Sequence, residues 1–192
     1  KAALEAGLVD ALTEAGISAL GPTRSAAEIE TSKAFAKAFM QRWNIPTARY
    51  QTFTDFSKAV DYINSVDFPI VIKASGLAAG KGVFLPNSKE EARAALLSLL
   101  VAVEMGTAGQ EVVIEERLSG PEVSLLAFTD GTTVRVMPPA QDHKRLLDDD
   151  QGPNTGGMGV IAPTPTCPPE LAEELTRTVL QPAVDGLRAE GR

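Results

Sequence analysis

The chain has one cysteine and one histidine among its 192 residues. A single thiol excludes an internal disulfide and favours a reducing compartment, the cytoplasm. Together the two counts exclude the usual zinc constellations. Long apolar runs are missing too: the longest, "AALLSLLVAV" at 94–103, is half a membrane span and predicts a buried helix. Glu5 interrupts any apolar start, so no secretory leader is expected. Positive charge is the minority, with 18 Lys and Arg against 25 Asp and Glu and a net charge of −7, which argues against a general nucleic-acid surface. There is no G-x-S-x-G and no evident partner for Cys167 as a nucleophile. Internal repeats and low-complexity tracts are absent as well.

What is present is an ordinary globular composition, 44% hydrophobic and 22% charged, in a length that suits one or two small domains. The basic residues cluster at Lys73 and Lys81 and in "HKR" at 143–145, which in an acidic chain suits a small anionic ligand. The opening on Lys1 rather than Met, and the end in a helical "AEGR", lead us to expect an excerpt of a longer polypeptide.

Helical spacing over 3–16 and the apolar "ISAL" after it predict the last helix and strand of a preceding α/β unit. Ser25 and Glu28 fit a capping box, as do Ser88 and Glu91. Residues 32–43 space Phe35, Phe39 and Trp43 four apart on a helix closed by Pro46, and 55–66 is amphipathic in the same way. Strands are expected at 68–74, at 111–118 and in a hairpin over 122–138 around Asp130-Gly131. Residues 138–166 read as a long irregular stretch, too long for a mere connection and therefore functional. The last helix starts at Pro and bends near Pro182.

The stretch "IVIKASGLAAGKGVF" at 70–84 has the composition of a phosphate loop but not the spacing of a Walker motif. Dinucleotide and P-loop folds lead from the glycines into a helix N-terminus. Here the apolar "GVFLP" follows, so the loop is expected to cap a β-hairpin and to fold over a nucleotide as a lid. Lys73, on the strand that enters the loop, would reach phosphate oxygens from below. An ordinary flexible hairpin would carry a similar sequence. Further on, "VIEERL" at 113–118 starts as strand and turns polar, as a hinge between lobes would; a solvated edge strand is the alternative for Glu115, Glu116 and Glu122.

Five stretches carry a resemblance to a known family: "GPT…E…SK" at 21–33, "VIKASGLAAGKGV", "EVVIEERLSGPEVS", "MPPAQDHKRLLDDDQGPNTGGMG" and "PTP". The chain resembles the ATP-grasp region of the glycinamide ribonucleotide synthetases (phosphoribosylamine–glycine ligases) over nearly its whole length. The resemblance implies an α/β (α+β) ATP-grasp fold, two lobes with nucleotide between them, incomplete at both ends. It implies a carbon–nitrogen ligase that joins glycine to 5-phosphoribosylamine through a glycyl phosphate, giving glycinamide ribonucleotide, ADP and phosphate in purine synthesis. No residue is modified covalently, so the protein's part is positioning and charge neutralisation. Small-molecule substrates, no nucleic acid, no membrane and membership of a multifunctional purine-pathway polypeptide complete the expectation.

Carried over by position, Lys33 and Lys73 resemble the lysines on the ATP phosphates, and Gly76, Gly80, Lys81 and Gly82 the lid. Glu115, Glu116 and Leu118 resemble the hinge against adenine, and Glu122 the ribose ligand. Asp142, His143, Lys144, Asn154, Thr155, Gly156, Gly157 and Met158 resemble the wall toward glycine and phosphoribosylamine, with no acid–base role for His143. The family holds magnesium with a Glu and an E-x-N segment on a later strand, so no metal ligand is expected in these residues. Asp148, Asp149 and Asp150 read as a solvated turn, and Cys167 as inert. The expected divisions are 1–22 as the tail of an N-terminal domain, 23–46 as connecting helices, 47–114 as the lid subdomain and 115–192 as the central subdomain. Another ATP-grasp carboxylate–amine ligase and a non-catalytic nucleotide-binding module are the competing readings.

Overall fold

The structure, a computed structural model, describes residues 2–78, 81–149 and 151–192, and of Asn154 the backbone alone. The chain divides into two compact units, Lys1–Leu118 together with Arg192, and Ser119–Gly191.

The first unit opens with α1 (Ala2–Glu5), α2 (Leu8–Glu14), α3 (Arg24–Thr31) and α4 (Lys33–Arg42). The expected single helix over 3–16 is broken, because Gly7 takes a left-handed φ of 81° between α1 and α2. "ISAL" is no strand; Ile17 and Leu20 are 54% and 84% exposed in an irregular link. The cap of α3 is Thr23, whose hydroxyl accepts from Ala26 N–H at 3.0 Å, and not Ser25. A four-stranded antiparallel sheet follows in the order β1-β4-β2-β3, from β1 (Tyr50–Phe53), β2 (Ile70–Ala74), β3 (Val83–Phe84) and β4 (Val112–Glu116). Strand β1 escaped the sequence reading.

Period-two alternation sends Ile70, Ile72, Ala74, Val112 and Ile114 into one core with α5 (Phe56–Ser65) and α6 (Lys89–Leu96). Asp55 caps α5 and Ser88 caps α6. The Glu91 carboxylate reaches back to Asn87 N–H at 2.8 Å, one residue before the cap that a capping box would use. Past α6 the helix widens into a π-helical turn, Leu97–Val101, that buries Leu99 fully.

The second unit holds the hairpin β5 (Ala127–Thr129) and β6 (Val134–Val136), turned at Asp130-Gly131 as expected. The Asp130 carboxylate accepts from Thr132 and Thr133 N–H. The stretch read as irregular is instead a second antiparallel ribbon, β7 (Gln141–Leu147) with β8 (Gln151–Ile161), and two register shifts interrupt it. Its glycines and Pro153 hide the strand pattern. The chain ends in α7 (Pro169–Leu175), a π-helical turn at Thr176–Leu180 and α8 (Gln181–Ala189), with Pro182 just past the irregularity.

Leu96 and Leu97 are neighbours at the helix end with opposite fates, 0% and 50% exposed. Leu96→Ala is expected to lower unfolding free energy by about 2–5 kcal/mol and Leu97→Ala by about 0.5 kcal/mol. Chemical denaturation of the two variants checks this; equal losses would mean that the core does not run through Leu96.

Candidate functional site

Strand β4 lies between β1 and β2, so each of its side chains is committed to one face of the sheet. Val112 and Ile114 enter the helical core, whereas Val113 and Glu115 line a cleft of about 390 Å³ on the opposite face. A carboxylate at such a position needs charged partners. Glu115 is 5% exposed and has two, Lys73 on β2 and Lys37 on α4. Lys73 is in register with Val113, which places it diagonally across from Glu115 on one face. Lys37 stands one turn after Lys33 on α4, and both line the cleft.

The two lysines are not equivalent. The Lys37 ammonium also donates to Thr47 Oγ1 at 2.7 Å, lies 5.5 Å from the centre of the Tyr50 ring, and is only 12% exposed. Lys73 is 30% exposed. Glu115 Oε2 faces the Lys37 ammonium and Oε1 faces that of Lys73. Burial pushes the Glu115 carboxyl up, but the ammonium groups of Lys37 and Lys73 outweigh it and hold the group below the ordinary 4.5.

The glycine loop is joined to the N-terminus of α4. Lys33 N–H donates to Ser75 O, Ala34 N–H to Ser75 Oγ and Phe35 N–H to Ser32 Oγ. These donors at the helix start are therefore occupied by protein. The Lys33 ammonium donates to Gly76 O at 3.1 Å. Past the loop the chain re-enters the sheet as β3, with Ile72 opposite Phe84 and Lys73 opposite Val83, so the glycines do span a hairpin. A Cβ on Gly76 would lie 2.8 Å from Ala108 Cα, and one on Gly82 2.7 Å from Ala78 Cβ. Close packing requires those two glycines. Lys81 is exposed, and Gly80 lies outside the described residues.

Beyond Glu115, the Glu116 carboxylate is committed to Arg49 through two hydrogen bonds of 3.0 and 3.1 Å. The solvated-edge alternative therefore fails for Glu115, whose strand is central. Leu118 is 68% exposed. A larger cavity, about 950 Å³, is lined by Asp10, Arg24, Glu28, Ser75 and Glu111 among others, and of the predicted site residues it includes only Gly76. The smaller cleft holds the lysines and is the better candidate for an anionic ligand.

On the second unit, Lys144 stands between two carboxylates, 3.6 Å from Glu122 and 3.7 Å from Asp142. Glu122 and His143 are exposed. Thr155 Oγ1 donates to Lys144 O at 2.9 Å and accepts from Gly157 N–H at 3.1 Å, which pins the two strands. Gly157 has φ 121°, and a Cβ there would meet Asp142 Oδ1 at 2.8 Å; that oxygen is buried with no hydrogen-bond partner. Gly156 and Met158 are exposed, and the Asn154 side chain is outside the description. No group of three or more His, Cys, Asp or Glu comes together among the described residues.

Residues 31–192 match the family model described as phosphoribosylglycinamide synthetase, ATP-grasp (A) domain. The chain belongs to this synthetase family. It is 54% identical over 189 residues to a trifunctional purine biosynthetic protein of Gallus gallus, covering 98% of this chain and 19% of that protein. It is 50% identical over 190 residues to a phosphoribosylamine–glycine ligase of Streptococcus pyogenes, covering 99% and 45% respectively. The crystal structure of the phosphoribosylamine–glycine ligase of Thermotoga maritima superimposes with a TM-score of 0.79 at 38% identity, over 89% of this chain and 43% of that one. The fold is therefore the ATP-grasp fold. The chain spans less than half the length of the curated relatives it matches.

In the first unit the sequence reading missed Lys37, which it had left among the residues of a core helix. Its signal was the i, i+4 spacing from Lys33. The depressed Glu115 carboxyl predicts a pH dependence. A folded pKa below the unfolded one contributes stability above about pH 4.5, and that stability is lost as pH falls through the folded value. Denaturation of Glu115→Gln and the parent protein from pH 3 to 7 is expected to show a gap that is widest near pH 7 and narrows in acid. A constant gap would show that the ion pairs contribute nothing to it.

Proposed function

We propose that the chain is the nucleotide-binding segment of a cytoplasmic ligase that uses ATP to join glycine to 5-phosphoribosylamine. The reading rests on one observation above all: a cleft that combines three lysines with a glycine hairpin, in a chain of this family. Lys33, Lys37 and Lys73 against Glu30 and Glu115 give the cleft a positive balance suited to a polyphosphate. Lys33 and Lys73 would bind phosphate oxygens, and the loop from Gly76 to Gly82 with Lys81 would close over them. The main chain from Glu115 to Leu118 would meet adenine, with Glu116 contributing backbone only, since Arg49 holds its side chain. Glu122 would take the ribose hydroxyls.

ATP supplies the phosphoryl group that makes the glycine carboxylate reactive, and the amine then displaces phosphate. The chain's own residues contribute positioning and charge. Asp142, His143, Lys144 and residues 154–158 are the candidates for the glycine and phosphoribosylamine side. Magnesium is expected of the whole enzyme, with ligands on a later strand. The division into 1–22, 23–46, 47–114 and 115–192 remains part of this reading.

ATP consumption by the polypeptide that carries this chain is expected with glycine plus phosphoribosylamine and not with other carboxylates. Turnover of a different carboxylate would favour another ATP-grasp ligase, and none at all a binding module. Lys73→Met is expected to weaken ATP binding about tenfold or more, measured by calorimetry on the chain. Unchanged affinity would remove Lys73 from the phosphate site.

A further inference from the structure

We infer that Lys37 is a positioning residue, the standing counter-ion that keeps Glu115 paired while the Lys73 ammonium transfers to nucleotide phosphate. This rests on the nucleotide reading above.

Three observations carry it. Glu115 is 5% exposed, so an ionised carboxylate there must keep at least one positive partner at all times. Its two oxygens are divided, Oε1 to Lys73 and Oε2 to Lys37. The two lysines then differ in what else holds them. Lys37 is nearly enclosed, bound to Thr47 Oγ1, packed over Tyr50 and paired with Glu115, and it cannot turn to a ligand without giving up these three contacts. Lys73 is more exposed, and its strand leads directly into the glycine hairpin.

A single lysine could not serve both ends. If Lys73 were the only partner, its move to phosphate would strand a buried carboxylate, and Glu115 would compete with ATP for that ammonium. With Lys37 fixed on the other oxygen, Glu115 stays compensated in both states. Glu115 holds Lys73 at the cleft, and the ammonium can be released when phosphate arrives. Lys37 therefore acts on nucleotide affinity without touching the nucleotide.

The test is ATP binding, by calorimetry, to the parent chain and to Lys37→Met, Lys37→Arg and the double variant Lys37→Met with Glu115→Gln. Lys37→Met is expected to weaken ATP about tenfold, Lys37→Arg to stay within about threefold of the parent, and the double variant to recover most of the loss. Recovery is the decisive outcome, because removing a second partner of a merely structural ion pair would not restore affinity. Lys37→Met with parental affinity, or a double variant as weak as the single one, overturns the inference. If Lys37→Met does not fold, lysine Cε resonances of the parent chain decide. On adding ATP the Lys73 signal is expected to move and the Lys37 signal to stay, and the reverse overturns the inference. Failure of the parent chain to bind ATP at all would instead overturn the nucleotide reading itself.

Discussion

A carboxylate on the buried face of a central strand is the constraint from which the cleft of the first unit follows. Two adjacent glutamates on β4 make the contrast plain. Glu116 meets Arg49, which is 63% exposed, and a pair in that setting contributes about 0–1 kcal/mol. Glu115, one residue earlier and on the other face, is shut away from water, where removal of one partner from an ion pair costs about 3–5 kcal/mol in fully buried cases. Two ammonium groups meet this demand. Lys37 ties α4 to β1 and β4 at once through Tyr50, Thr47 and Glu115, and so sets how the helix lies against the sheet. The walls of the cleft are thus a consequence of charge pairing as much as of apolar packing.

The junction of Ser75 and Gly76 does comparable work for the backbone. Ser75 gives its carbonyl and its hydroxyl to the first turn of α4, while its own N–H donates to Glu111 O. Gly76 follows, donates to Ala108 O, and comes so close to the Ala108 main chain that a side chain would collide. The loop therefore leaves the sheet from a fixed point. Lys33 reaches back to the Gly76 carbonyl at the same point.

Much of this was legible in the sequence, for identifiable reasons. Elements with a strong period were found where they lie: α4, α5, β2, β4 and the Asp130-Gly131 hairpin. The glycine loop was assigned to a hairpin because no helix start followed it, and the register of β2 with β3 agrees. Misreadings came where local signals conflicted. The β7–β8 ribbon is rich in Gly, Pro and Asp, residues that normally mark loops, so its pairing was hidden. "ISAL" is apolar and short, and nothing in four residues tells a strand from an exposed link. Lys37 was passed over because its neighbours Phe35 and Phe39 define a packed face, and a lysine beside it reads as solvated. Its role depends on Glu115, 78 positions later, and a helix wheel carries no such information.

One register ties the core to the cleft in the first unit. Along β2 the chain alternates Ile70, Val71, Ile72, Lys73 and Ala74; the even positions enter the core, and Lys73 enters the cleft. A slip of one residue against β4 would drive Lys73 into the apolar side and Ile72 into the cleft, losing both at once. The hydrophobic residues thus specify the position of the charged ones. Ile72 and Ile114, opposite each other in the sheet and fully buried, hold the register that brings Lys73 to Glu115. The core under the sheet is therefore the reason the lysines above it meet a carboxylate at all.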